Sequence, residues 1–269
     1  MLLRGAAGAL ILGSALSFAQ PFPEPKSEPF ALDLFSRIAS AQSNFVYSPF
    51  SVAQVLGMLQ LGAGGATAQG ITKTLDATGT VNWDAVNRAV KADLVDTING
   101  QEVRAANRLW VQSGWQLKQP YVQASRERFG AEPETLDFKL NPDNARKIIN
   151  VWIETETKGY LKNLLGPGAI TKESMLVLTN AIFFKAPWKT QSDRRSTKPG
   201  VFRAPGKTLW VPMMAGTFSV PYFENEQFQA VELPFDGERF AATIILPLTT
   251  KKSKGNGFTR IQASDLDAL

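Results

Sequence analysis

The chain has 269 residues, 44% of them apolar and 20% charged, which is enough for a sizeable hydrophobic core and excludes a disordered or low-complexity protein. It contains neither Cys nor His, so disulfides, Cys-His and Ser-His-Asp nucleophile pairs, and zinc sites built on those ligands are excluded. The net charge of +5 is mild, with bases scattered among nearly as many carboxylates, and predicts no nucleic-acid partner.

The chain opens with Arg4, an apolar run over residues 6–18 and small residues at Ser17 and Ala19. That pattern predicts a signal peptide over 1–19 cleaved before Gln20, and hence a secreted, extracellular protein, or a periplasmic one in a Gram-negative bacterium. The run is short for a membrane span, so no membrane partner is expected. The other reading, an uncleaved anchor or buried helix, is opposed by Pro21, Pro23 and Pro25, which open a Pro-rich lead over 20–29. No Asn is followed two places on by Ser or Thr, so N-glycosylation is not expected.

Phe30, Leu34, Phe35 and Ile38 recur at helical spacing. Ser48-Pro49-Phe50-Ser51 supplies capping hydroxyls and a first-turn Pro for a second helix with Val52, Val55, Leu56 and Leu59. That helix is apolar on most sides and is expected to be buried, ending at Gly62-Ala63-Gly64-Gly65. Thr67 reads as the cap of a short third helix bearing Ile71 and Leu75, and Val86, Val90, Leu94 and Ile98 predict a fourth. Residues 102–112 read as a strand turned at Gly114, 121–129 as a helix, and Asn141-Pro142-Asp143 as the start of another with Ile149, Trp152 and Ile153 inward and Gly159 as its stop.

Residues 175–184 are nearly all apolar and predict a strand covered on both faces, in which Asn180 needs hydrogen-bond partners. A strand over 210–214 follows, and two apolar runs flanking Asp236-Gly237 make the strongest hairpin signal in the chain. Lys251, Lys252 and Lys254 read as a solvated loop. Helices first and strands later, with antiparallel elements and no repeat, predict an α+β fold.

Residues Asn44-Phe45-Val46-Tyr47-Ser48-Pro49-Phe50-Ser51-Val52, with Leu61-Gly62-Ala63, Thr67 and Gln69, make a long and specific motif. It is followed by Ala106-Asn107-Arg108-Leu109-Trp110, Thr157-Lys158-Gly159, Leu176-Val177-Leu178-Thr179-Asn180-Ala181-Ile182-Phe183-Phe184-Lys185 with Trp188, Val211-Pro212-Met213-Met214 and Glu232-Leu233-Pro234-Phe235. Together these segments resemble the serpin family, proteins with a serine protease inhibitor fold: the first is similar to its second-helix signature, and the others come in the family's order. The resemblance spans 30–247 and implies a multi-helix domain with three β-sheets over 30–269, incomplete at its C-terminus. It also implies a reactive loop that baits a serine, less often a cysteine, protease and then inserts into the large sheet.

Carried over by residue, Ser48, Ser51 and Asn180 match the polar cluster, or shutter, beneath the point where that sheet opens. Trp188 matches the aromatic of the breach, where loop entry begins. Leu178, Thr179, Phe184 and Lys185 lie on the strand flanking the insertion gap. The bland reading of the same residues makes Ser48 only a cap and Asn180 a satisfied core amide.

Residues after Pro247 resemble the start of the family's next helix, and the second gap-flanking strand, the hinge, the reactive bond and the closing strands have no counterpart in the chain. The 269 residues alone are therefore expected to inhibit no protease, and the complete molecule to be monomeric. Two functions remain open for that molecule: protease inhibition, or a non-inhibitory carrier, storage or chaperone role. An enzyme is not expected, because no paired acidic motif is present. Neither a cofactor nor a metal is expected. A heparin-like glycan is not expected on the fourth helix, where Arg88 and Lys91 are offset by Asp84, Asp93 and Asp96.

Overall fold

The structure is a computed structural model and describes residues 10–11, 28–39, 45–75, 100–204, 206–237 and 240–248. The expectations for the rest of the leader and lead, for the fourth helix over 86–98 and for residues 249–269 lie outside them.

Helix α1 spans Glu28–Ile38, α2 Pro49–Gly62 and α3 Gly65–Leu75. They meet at Phe30, Ala53, Ile71 and Leu75, the periodic apolar positions of the three sequences. Ser48 caps α2, its Oγ accepting from the Ser51 backbone N–H at 3.1 Å, and Pro49 occupies the position where a missing N–H costs nothing. Two expectations need correction here. Val52 and Leu59 are exposed, so α2 is buried on its inner faces rather than all round. Helix α3 starts at Gly65, whose positive φ of 54° suits glycine, and Thr67 lies inside its first turn instead of capping it.

Strand β2, Glu102–Gln112, leads through α4, Gln119–Phe129, into β3, Glu132–Leu136. Strands β2 and β3 pair in parallel, the geometry a helical crossover permits, and this departs from the antiparallel expectation. Glu-Pro-Glu-Thr-Leu carries little strand signal, but β3 is an edge strand, where Pro and charge are tolerated. On the other side of β2, strand β4, Leu176–Lys185, runs antiparallel over ten residue pairs from Glu102–Lys185 to Val111–Leu176. The three-stranded sheet has the order β3-β2-β4.

Helix α5, Pro142–Glu156, covers one face of this sheet, burying Ile149 and Ile153 against Trp110, Leu136 and Phe138. The opposite face meets α2 and α4 through Leu109, Met58, Val55, Phe129 and Leu178. Strand β4 is thus covered on both faces, as its apolar run predicts.

Beyond it lie two further sheets. One is the hairpin β5, Lys198–Ala204, with β6, Lys207–Met213. The other has the order β1-β9-β8-β7: β1 is Leu10–Ile11, β7 Tyr222–Glu224, β8 Phe228–Pro234 and β9 Ala241–Pro247. Strands β8 and β9 form the hairpin expected around Asp236-Gly237, with Gly237 at φ 76°. The described residues therefore make helices plus three sheets.

Candidate functional site

Helix α2 packs against β4 through Val55 and Met58, which meet Leu178. Ser51 Oγ lies 3.0 Å from Ser48 Oγ, so the two hydroxyls form one unit at the cap. One turn further along, the buried side chain of Gln54 points to β2, where the Asn107 Nδ2 donates to its Oε1 at 3.4 Å and to the Phe129 carbonyl at 2.8 Å. Asn107 stands directly opposite Asn180 in the β2–β4 register, and the Asn180 Nδ2 donates to the Asn107 Oδ1 at 2.9 Å. The result is a polar chain from helix to sheet edge: Gln54, Asn107, Asn180.

Sequence reasoning identified Asn180 but missed Gln54 and Asn107. The missed signal was present, since Asn107 is, like Asn180, an amide in the middle of a strand; only the register joins them. The two serines are not hydrogen-bonded to Asn180. They reach it only through the helix that also carries Gln54. The Asn180 Oδ1 is buried without a partner, so one acceptor of the chain is unmet.

On the other face, the Trp110 Nε1 donates to the Thr179 Oγ1 at 2.9 Å, and the Arg108 guanidinium lies over the Trp110 and Trp152 rings at 5.6 and 5.5 Å while pairing with Glu134. Leu178 packs among Met58, Leu109 and Phe129.

At the far end of β4, Trp188 stacks on Phe235 with ring centroids 4.3 Å apart, and Phe184 meets Phe235 and Phe240 edge-on at 5.0 and 5.3 Å. Backbone bonds from Lys189 N to Pro234 O (3.0 Å) and from Asp236 N to Pro187 O (2.8 Å) fasten this corner to the β8–β9 hairpin. The sequence reading placed Trp188 and Phe184 but not their aromatic partners. Lys185 is exposed and stands opposite Glu102, whose carboxylate is held below its ordinary pKa chiefly by the hydrogen bond from Lys158, with Arg104 adding to it.

The outer edge of β4 carries no strand among the described residues, and a row of backbone groups is therefore open to pairing. No group of three acidic, His or Cys residues that could hold a metal occurs among the described residues. The arrangement suits a mechanical role: small hydroxyls and amides can exchange partners as a strand edge moves, which an apolar layer could not do.

Comparison with known proteins agrees with this architecture. A family model described as Serpin (serine protease inhibitor) matches residues 25–264. An uncharacterised serpin-like protein of Thermococcus kodakarensis is 35% identical over 230 residues, covering 85% of this chain and 54% of that protein. Serine protease inhibitor 42Dd of Drosophila melanogaster is 34% identical over 229 residues, covering 81% and 61%. Among solved structures, emu (Dromaius novaehollandiae) ovalbumin superposes with a TM-score of 0.78 at 25% identity, covering 91% of this chain and 68% of its own. Cleaved serpin 42Da gives 0.77 at 26%, covering 91% and 65%. The chain spans a little over half the length of the curated relatives it matches. With the matched region running through every described helix and through β2 to β9, this chain belongs to the serpin family.

Proposed function

We propose that the whole protein inhibits serine proteases, and less often cysteine proteases, by loop cleavage and insertion. The protease nucleophile attacks a peptide bond of an exposed loop, the new amine leaves, and an acyl-enzyme forms, an ester on Ser or a thioester on Cys. The freed loop then adds to the large sheet as a strand, carrying the tethered protease with it. The observation that supports this reading is the open edge of β4 above the Asn180–Asn107–Gln54 chain. An incoming strand would find unpaired backbone groups there, and in this reading it enters from the end of β4 that carries the Trp188–Phe235 stack. No residue of the inhibitor acts as a catalyst; the chemistry is the protease's own.

A second reading is kept because ovalbumin and a cleaved serpin superpose equally well: a non-inhibitory carrier, storage or chaperone protein. The protein expressed with its full coding sequence separates the two. Incubation with trypsin-, chymotrypsin- and elastase-like enzymes is expected to give a covalent complex that survives denaturing electrophoresis, and loop cleavage is expected to raise the melting temperature. Cleavage with neither effect would establish the non-inhibitory reading.

Export with cleavage after Ala19 belongs to the same proposal. Intact-mass measurement of protein from the culture medium or periplasm is expected to show Gln20 as the first residue, and recovery with Met1 still attached would refute it.

A further inference from the structure

Charge is unevenly distributed along the chain. Residues 185–214 hold seven Lys and Arg against one acidic residue, Asp193, a net +6, so this segment carries the whole net charge of +5 and the remainder is close to neutral. Asp193 is engaged by Arg195 at 3.2 Å. Arg194, Lys198, Arg203 and Lys207 are exposed and make no ion pair with a described residue.

The β5–β6 hairpin sets Arg203 among bare apolar side chains on one face, with Lys198 and Lys207 at its two ends on the other face and Arg194 in the turn before it. Its register sets Val201 opposite Trp210 and Arg203 opposite Thr208, which puts Trp210 diagonal to Arg203 on one face. Trp210 is 73% exposed and Val201 39%. At the end of β6, Met214 is 75% exposed, and the Ser192 hydroxyl lies 3.8 Å from its sulfur, tying that end to the turn that bears Arg194.

A soluble anionic polymer would meet the cations and leave the indole and thioether in water. An anionic bilayer satisfies both: indole settles at headgroup depth, short apolar groups enter the acyl boundary, and Lys and Arg face the headgroups. We propose that the β5–β6 hairpin docks on an anionic phospholipid surface. Docking is peripheral, since no helix among the described residues is long and apolar enough to cross a membrane. It revises the expectation of no membrane partner, which weighed only a spanning segment.

The test is co-sedimentation of the full chain with phosphatidylcholine vesicles, with and without a minor fraction of phosphatidylserine. Binding is expected to be about tenfold or more tighter on the anionic vesicles and to fall with added salt. Arg203→Glu combined with Lys207→Glu should remove that preference, whereas Lys172→Glu, outside the hairpin, should leave it. Trp210→Ala should also weaken binding, and should abolish part of the blue shift in Trp emission on vesicle addition. Melting temperatures of these surface variants should match the parent, which separates lost docking from lost folding. Equal binding to neutral vesicles, or no binding to either, overturns the proposal. So does binding that is indifferent to Trp210→Ala and fully displaced by heparin or an oligonucleotide, which would assign the surface to a soluble polyanion.

Discussion

Asn107, more than Asn180, holds the polar chain together. Its side chain accepts from Asn180 and donates to the Phe129 carbonyl and to Gln54, so Asn107→Ala removes one hydrogen bond from each of β4, α2 and the end of α4. A buried polar group left unpaired costs about 1–3 kcal/mol, and a total near 2–4 kcal/mol is expected for this variant. Asn180→Ala should cost less, because its Oδ1 has no partner to lose. Denaturant unfolding of the two variants checks the order, and a larger loss at Asn180 would show that the chain is anchored from β4. Tyr47 offers a pH test. Its hydroxyl donates to the Ala31 carbonyl at 2.9 Å, and burial pushes its pKa up to about 12. The fold favours the protonated phenol, while the unfolded chain ionises near the ordinary value of about 10. The contribution is therefore complete below about pH 10 and is lost as pH rises to about 12. Tyr47→Phe should flatten that alkaline limb of a melting-temperature profile; an unchanged limb would mean that other groups set it.

At the scale of elements, α5 acts as a strap across the sheet. Its body packs on Trp110 and Phe138, and the loop after it returns to the strands: Lys158 pairs with Glu102 on β2 and lies 5.3 Å from the Phe183 ring centroid on β4, while Tyr160 meets Phe183 at 5.6 Å. Glu102 is held below its ordinary pKa by that contact, so its contribution to stability is present above about pH 4.5 and is lost as pH falls. Lys158→Met removes the leading cause of the depression and should make unfolding less steeply acid-dependent below pH 4.5. The same variant should speed amide exchange at the C-terminal end of α5. An acid profile unchanged by Lys158→Met would assign the depression to Arg104 instead. Strand β4 makes a second element-scale prediction. Its amides alternate between β2 and the open edge, so hydrogen exchange should show alternating protection along 176–185; uniform protection would mean that a strand already fills the edge.

For the molecule as a whole, the outer edges of β4 and of the β5–β6 hairpin are unpaired among the described residues. Expressed as these 269 residues, the protein is expected to self-associate in size-exclusion chromatography, whereas a form carrying strands that cover those edges should elute as a monomer. A monodisperse 269-residue monomer with a cooperative melt would show that the edges are tolerated. Much of this architecture was legible in the sequence, because its causes are local. Ser48 and Pro49 start α2 by capping and by a missing N–H, Asp236-Gly237 turns a hairpin through a positive φ, and an unbroken apolar run makes β4. The absence of His and Cys excluded whole classes of chemistry without any structure. Tertiary structure alone decided the pairing of Asn107 with Asn180, 73 residues apart, because strand register is set by the packing of two faces and not by either strand's own residues. For the same reason the parallel β3, whose acidic and Pro-containing sequence carries little strand signal, and the Trp188–Phe235 stack became visible only once the sheet brought distant segments to one edge and one corner.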